Sequence, residues 1–419
     1  MTLWESIGTH GAASCRAEPD TYRDITMFVK SRLLTPGPTA VAESTRLAMA
    51  AAQPHHRSAA FGATFKRAGE LLRWFWDTDD DVLFVSGSGT AGMEAAMRTC
   101  LRADDDVVVI TGGKFAERWQ TIAKLIGVQV HAVDIAWGDS VTREQLDAVL
   151  SRCTKVDALV MVASETSTGA YHDPALVSSV LRARFPDALL MVDGITAVGT
   201  MDISMRRDDI DVLVSGTQKA FGLPPGGAMV GVSQRAWTRA ERPGCTAYYL
   251  DLRRERKQTA TGQSAYTPAT PLIIGLVSVL ETWHGVGRAR VFEHAKALAE
   301  ATRAAMQALG LELYPTGTPS AALTTVKVPE GLTASQLRTW MRTKAGVTVA
   351  GGQDDLKETV LRFGTLGATD PFDVIQGVSA FEMALISFGV DIQPGAGVAA
   401  AQEVLRSALN AGEPLIYSP

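Results

Sequence analysis

Between Asp81 and Val232 the sequence repeats one unit, a short β-branched or apolar run followed by an amphipathic stretch of helical length. The runs are Asp81–Ser86, Asp106–Thr111, Gln129–Asp134, Asp157–Ala163, Ala188–Asp193, Asp211–Ser215 and Ala228–Val232. Short runs that stay apolar, spaced by helical segments, suit strands covered on both faces. The pattern predicts an α/β architecture, a mainly parallel seven-stranded sheet with helices on both faces. Ligands of such sheets bind beyond the carboxyl ends of the strands, so the residues that follow each run are the candidates for chemistry.

After Pro271 the pattern changes. A long helical stretch through Leu309 leads to strand candidates at Ala322–Val328 and Val360–Phe363, with helices to the end, which reads as a smaller α+β domain. The predicted division is an N-terminal segment, 1–44, packing across both domains, a large domain, 45–285, and a small C-terminal domain, 286–419. The N-terminal segment is irregular and centred on Thr35-Pro36-Gly37-Pro38-Thr39. With 419 residues, 46% of them hydrophobic, the chain has material for two cores.

A net charge of -5 without a Lys/Arg-rich tract argues against a nucleic-acid partner. The four cysteines, Cys15, Cys100, Cys153 and Cys245, are scattered and form no CxxC pair, so no metal site is predicted and a reducing compartment fits. Met1 to Asp20 has no signal-peptide pattern and no apolar run reaches the length of a membrane span, which predicts a cytoplasmic protein with no membrane partner.

Ser86-Gly87-Ser88-Gly89-Thr90 leaves a strand and opens a helix over Ala91–Leu101. Glycines let the backbone approach an anion, and the free amides and dipole of a helix N-terminus favour a phosphate. The same segment spells GxGxxG through Gly87, Gly89 and Gly92, with acids at Asp104 to Asp106, so a dinucleotide site is a rival; a tight turn capped by Ser and Thr is the plain alternative.

Further on, Asp193 closes one strand, and Ser215-Gly216-Thr217-Gln218-Lys219 follows the next, with Lys219 26 residues after Asp193. A strand-end aspartate can pair with a protonated pyridine nitrogen, and a lysine just past a strand can form an imine with an aldehyde. Alone, Asp193 reads equally as a loop cap and Lys219 as a surface charge. A phosphate cradle, a pyridinium partner and an imine lysine together are the three groups that pyridoxal 5'-phosphate (PLP) requires.

On these residues the chain resembles the class V aminotransferases, fold type I PLP enzymes, close to the alanine–glyoxylate and serine–glyoxylate group. The resemblance runs from Thr35-Pro36-Gly37-Pro38 into the carboxyl domain. It rests on Ser86-Gly87-Ser88-Gly89-Thr90 with Met93-Glu94-Ala95-Ala96, Ser164-Glu165-Thr166-Ser167-Thr168-Gly169, Val192-Asp193, Ser215-Gly216-Thr217-Gln218-Lys219-Ala220, Tyr266-Thr267-Pro268-Ala269 and Leu361-Arg362-Phe363-Gly364. It implies that Lys219 carries PLP as a Schiff base and acts as the catalytic base, and that Asp193 faces the pyridine nitrogen. It places Ser88, Gly89, Thr90 and Gln218 at the phosphate, Phe115 on the ring and Thr166 near its phenolic oxygen. Thr267, and Tyr266 beside it, would reach the cofactor of a neighbouring subunit, because the family builds its sites across a homodimer interface. Arg362 would bind the substrate carboxylate, to which a guanidinium offers two parallel hydrogen bonds.

Read without the resemblance, Phe115 is a core aromatic, Thr166 a turn residue, Arg362 a strand-end ion pair and His55-His56-Arg57-Ser58 a structural element. Gln353-Asp354-Asp355-Leu356-Lys357-Glu358 reads as a solvated loop or a flap. The implied reaction moves an amino group from alanine or serine to glyoxylate or pyruvate by a ping-pong route. Within the fold, 2-aminoethylphosphonate aminotransferase remains open. A cysteine desulfurase is disfavoured because Gln218 stands where such enzymes carry His and no Cys follows Cys245. An NAD-dependent oxidoreductase using Gly87, Gly89 and Gly92, or a non-catalytic relative, are the readings outside PLP chemistry.

Overall fold

The computed structural model describes residues 30–409, so the first 29 residues of the predicted 1–44 segment, Cys15 among them, lie outside the described residues, as do residues 410–419. In chain order the strands are β1 (Arg32–Leu34), β2 (Asp81–Ser86), β3 (Asp106–Ile110), β4 (Gln129–Val133), β5 (Ala158–Val162), β6 (Ser164–Glu165), β7 (Ala170–Tyr171), β8 (Leu189–Asp193), β9 (Val212–Gly216), β10 (Gly227–Val232), β11 (Leu323–Lys327), β12 (Val347–Gly351) and β13 (Val360–Gly364). Each of the seven runs between Asp81 and Val232 forms a strand, with ends shifted by no more than one residue from those read in the sequence.

These seven make one sheet in the order β2-β10-β9-β8-β5-β3-β4. From β9 to β4 all pairs are parallel, and β10 alone runs antiparallel, between β9 and β2. The apolar runs do not alternate because both faces are covered. Val108, Leu159, Leu190, Val192 and Leu213 face one side, where the helix Ala59–Trp76 brings Phe61, Phe65, Leu72 and Phe75. Val107, Val109, Val160, Met191 and Val214 face the other, against Met93 and Met97 of the helix Gly89–Cys100 and Trp119 of the helix Lys114–Ile126. Successive residues of a strand point to opposite faces, so one run supplies two cores.

A second sheet has the order β1-β12-β13-β11, with β1 parallel to β12 and the other pairs antiparallel. Its core gathers Leu34, Leu298, Met306, Leu337, Met341, Phe363 and Phe381. The strand candidates found in the sequence here correspond to β11 and β13. β1, only three residues long, and β12, which is half-buried at alternate positions and ends in Gly351, carry no long apolar run. The long helical stretch after Pro271 is two helices, Thr270–Val286 and Arg288–Ala308, divided at Gly287, whose φ of +87° leaves the helical region.

His55-His56-Arg57-Ser58 is structural in this fold. The Ser58 hydroxyl accepts from the Phe61 amide to cap the helix Ala59–Trp76, and Arg57 donates to the Ser264 carbonyl at 3.0 Å.

Candidate active site

Ser86, Ile110, Val162, Asp193 and Gly216 end parallel strands at one edge of the large sheet, and the segments that leave them bring the site together. Ser88 stands at the N-cap of the helix Gly89–Cys100, its side chain making no capping bond. The amides of Gly89 and Thr90 belong to the unpaired first turn of that helix and take no partner among the described residues. A Cβ on Gly89 would stand 2.4 Å from Ile195 Cδ1, so the cradle is pressed against the turn that follows Asp193.

Asp193 is 3% exposed. Its Oδ1 accepts from the Ile195 amide at 2.9 Å and its Oδ2 from Trp119 Nε1 at 3.2 Å. Burial pushes the carboxyl up to about 6, against the pull of the bonds from Ile195 and Trp119. A cationic partner at Oδ1 or Oδ2 would restore the ionised form, which is the electrostatic requirement of a pyridinium site.

Lys219 lies in the turn after β9, wrapped by the segment just after β1. Its Nζ donates to the Pro36 carbonyl at 2.6 Å, and its own carbonyl accepts from Thr39 Oγ1 at 2.9 Å. Gly37, with φ +131°, packs on the lysine side chain so closely that a Cβ would be 2.7 Å from both Cδ and Nζ. No carboxylate comes within ion-pair distance of this amine among the described residues. Burial lowers it to about 8; Asp193 opposes the shift, and Arg362 and Arg118 add to it. A buried amine with a depressed pKa is a nucleophile at neutral pH. Beside it, Gln218 is half-buried and its Oε1 has no partner, so this amide is not committed to the fold.

Phe115 opens the helix Lys114–Ile126, and a buried carboxylate fixes the start of that helix. Glu165 is fully buried and accepts from the amides of Phe115 (3.2 Å), Ala116 (3.1 Å) and Ser167 (3.0 Å), and from Ser167 Oγ. Gly113 makes room for it, since a Cβ there would be 2.3 Å from Glu165 Cγ. Thr166 Oγ1 shares a hydrogen bond of 2.8 Å with Thr196 Oγ1, and its carbonyl accepts from Arg362 Nη1 at 2.7 Å. Arg362, buried within β13, also donates from Nε to the Gly351 carbonyl at 2.8 Å. Burial draws it down to about 10, still a cation at neutral pH, and Nη2 is left without a partner among the described residues.

Hydrogen bonds tie Phe115 to Glu165, Thr166 to Arg362, Asp193 to Trp119 and Lys219 to Pro36, while the Gly89 and Thr90 amides and the Gln218 side chain keep free polar groups among the described residues. Thr267 is exposed on the loop before the helix Thr270–Val286; two residues on, the Ala269 amide donates to Ser86 Oγ at 3.3 Å. Sequence reasoning singled out Lys219 and Asp193 but assigned no role to Pro36, Gly37, Trp119 or Glu165. Trp119 was within reach: it stands four residues after Phe115 on an amphipathic helix, hence on the same face.

The Gln353–Glu358 segment departs from a plain solvated loop. Asp354 Oδ2 pairs with Lys114 Nζ at 2.6 Å, and Glu358 accepts from the Ser335 amide and hydroxyl, so both ends are anchored. The acids that could have served a dinucleotide ribose are also spent elsewhere. Asp105 accepts from Arg242, and Asp106 faces His131 at the amino end of β3, the opposite edge of the sheet from the glycine loop. Gly92 serves packing, since a Cβ would be 2.9 Å from Val214 Cγ1.

The family model for the aminotransferases of class V matches residues 39–365. A Synechococcus protein named as the small subunit of a soluble hydrogenase is 35% identical over 382 residues, 90% of this chain and 99% of that one. An L-aspartate–glyoxylate aminotransferase of Paracoccus denitrificans is 32% identical over 392 residues, 92% of this chain and 99% of its own. Among solved structures, a subgroup IV aspartate aminotransferase from Thermus thermophilus aligns with a TM-score of 0.80 and 31% identity, over 85% of this chain and 99% of that one.

Proposed function

The chain belongs to the class V aminotransferases, enzymes that use PLP, and from that premise we propose that it moves an amino group from a small amino acid, alanine or serine, to glyoxylate or pyruvate. The observation that carries the site assignment is Lys219, a buried amine with no ion-pair partner among the described residues, depressed to about 8 although the buried Asp193 opposes the shift. The surrounding residues fit the cofactor. Gly89, Thr90 and Gln218 offer uncommitted polar groups for a phosphate, Phe115 an aromatic ring, and Asp193 an acceptor for a pyridine N–H.

When bound, PLP supplies an aldehyde carbon that holds amines and a protonated ring that takes up the electron pair left at the donor's α-carbon. Lys219 Nζ would hold the cofactor and, once the substrate amine takes its place, would serve as the base that takes the proton from the donor's α-carbon. Asp193 would hold the pyridine N–H, its carboxylate favouring the protonated ring. Arg362, fixed by the Thr166 carbonyl, would orient the donor through its carboxylate, and Thr166 would stand near the ring's phenolic oxygen. The first oxo acid leaves before the second arrives, so the kinetics are ping-pong.

A single carboxylate clamp suits monocarboxylic donors, and the Paracoccus relative's name supports glyoxylate as acceptor. The same name, with that of the Thermus structure, favours a second reading in which aspartate is the donor, which calls for another cation near the substrate. We place Thr267 at the partner's cofactor in a homodimer; its exposure beside the outward-facing Tyr248 and Tyr249 supports this. The free Cys100, Cys153 and Cys245 suit the cytoplasm, and no helix of the described residues is long and apolar enough to cross a membrane.

Adding amino acids one at a time, with no acceptor, to the PLP-loaded protein tests the donor assignment. Loss of the cofactor's visible band with alanine or serine in the wild type, and not in Lys219→Ala, is the expected result. A response to aspartate alone establishes the second reading, and no response to any amino acid removes the proposal.

A further inference from the structure

The residues so far assigned to the cofactor phosphate, Ser88, Gly89, Thr90 and Gln218, are all neutral. A phosphate monoester brings close to two negative charges, and burying it against neutral donors alone leaves that charge unbalanced. The structure holds one cation positioned to balance it. Arg118 lies one helical turn after Phe115, and its Nη1 donates to Thr90 Oγ1, within the cradle, at 2.9 Å. Its guanidinium carbon is 5.0 Å from the centre of the Phe115 ring.

Arg118 has no acid to neutralise it. Among the described residues no carboxylate comes within ion-pair distance of it; its neighbour Glu117 is taken by Lys114, and Glu94, on the helix that starts beside Thr90, by Arg98. Its charge is nonetheless felt inside the site, where it adds to the depression of Lys219. A half-buried guanidinium on a hydroxyl and an aromatic face, with donors to spare, is placed to receive an anion.

We propose that Arg118 is the counter-charge of the cofactor phosphate, reaching it beside Thr90 and stacking on Phe115 so that the phosphate grip and the ring cover move as one unit. This rests on the reading of the site given above. It predicts that affinity for the phosphate end, and not for the ring, depends on Arg118.

The test compares PLP with pyridoxal, which has the same ring and aldehyde but no phosphate, on the full-length chain freed of cofactor. In Arg118→Gln the dissociation constant for PLP should rise roughly 10- to 100-fold, the range of a lost charge-assisted hydrogen bond. That for pyridoxal should stay within about twofold. Inorganic phosphate should compete with PLP less effectively in the variant than in the wild type. Arg118→Lys, which keeps the charge but loses the fork, should fall between, and it carries the test alone should the Gln variant not fold. Equal weakening of PLP and pyridoxal overturns the proposal in favour of a role through Phe115. Unchanged PLP affinity with a raised KM for aspartate overturns it in favour of a substrate-carboxylate site. A wild type that takes up no PLP removes the parent reading, and this one with it.

Discussion

Trp119 Nε1 donates to Asp193 Oδ2 at 3.2 Å, from a helix on one face of the sheet to the end of the central strand β8, with both side chains buried. The second carboxylate oxygen is held by the Ile195 amide, so two fixed donors set the direction of the group proposed to face the pyridine nitrogen. Removing one of them leaves a buried acceptor unpaired, at a cost of about 1–3 kcal/mol. Trp119→Phe keeps the ring and loses the N–H. It should lower kcat roughly tenfold, with KM for the donor nearly unchanged, because Asp193 acts on the electron pair and not on substrate binding. Steady-state kinetics with a saturating acceptor decide this; a change in KM alone would count against it.

The cofactor-free protein should be more stable without the Lys219 amine. Its pKa is depressed from 10.5 to about 8, so the stability it contributes is present above 10.5 and lost as pH falls through 8. At pH 7 the whole cost is in place, on the order of 3 kcal/mol. Lys219→Met, freed of PLP, should therefore unfold at a higher urea concentration than the wild type at pH 7, and the gap should close as pH approaches 10. A gap independent of pH would show that the amine is not depressed.

Arg362 is tied to the carbonyls of Thr166 and Gly351, which leaves its outer edge for a carboxylate. Arg362→Lys keeps the charge but cannot make two parallel bonds or span both carbonyls. KM for the amino donor should rise roughly 30- to 100-fold, with kcat changed less and PLP affinity unchanged. Equal loss with an amine that lacks a carboxylate would refute the role.

Gly37→Ala places a Cβ 2.7 Å from Lys219 Nζ and in a backbone region, φ +131°, that other residues rarely adopt. The effect should fall on the lysine more than on the fold, because the contact is with a side chain at the site. PLP incorporation should drop at least tenfold, as measured by bound cofactor per chain, while circular dichroism retains the native signal.

The large sheet was legible because parallel strands covered on both faces must be apolar throughout, as Val107-Val108-Val109 and Leu189-Leu190-Met191-Val192 are. Lys219 and Asp193 stood out in the sequence because they lie at strand ends, where ligands of such sheets bind, and the structure places both there. Other parts of the site were hidden by distance along the chain. Pro36 meets Lys219 across 183 positions and Trp119 meets Asp193 across 74, and no local periodicity encodes such pairs. Glu165 was hidden for another reason. A glutamate in a hydroxyl-rich turn reads as exposed, and only the four donors around it, three amides and the Ser167 hydroxyl, make its burial tolerable. β1 and β12 are too short or too half-buried to stand out.

The strand β1 is hydrogen-bonded into the small sheet through Leu34, and Pro36, two residues later, rests on the amine of Lys219 at the edge of the large one. Two residues of chain reach at most about 7 Å, so this link has no slack. Any rotation of the small sheet relative to the large one pulls the carbonyl toward or away from the lysine. The position of one sheet is thereby reported at the amine proposed to carry the cofactor, and a hinge movement on substrate entry would act on that amine mechanically as well as through the substrate.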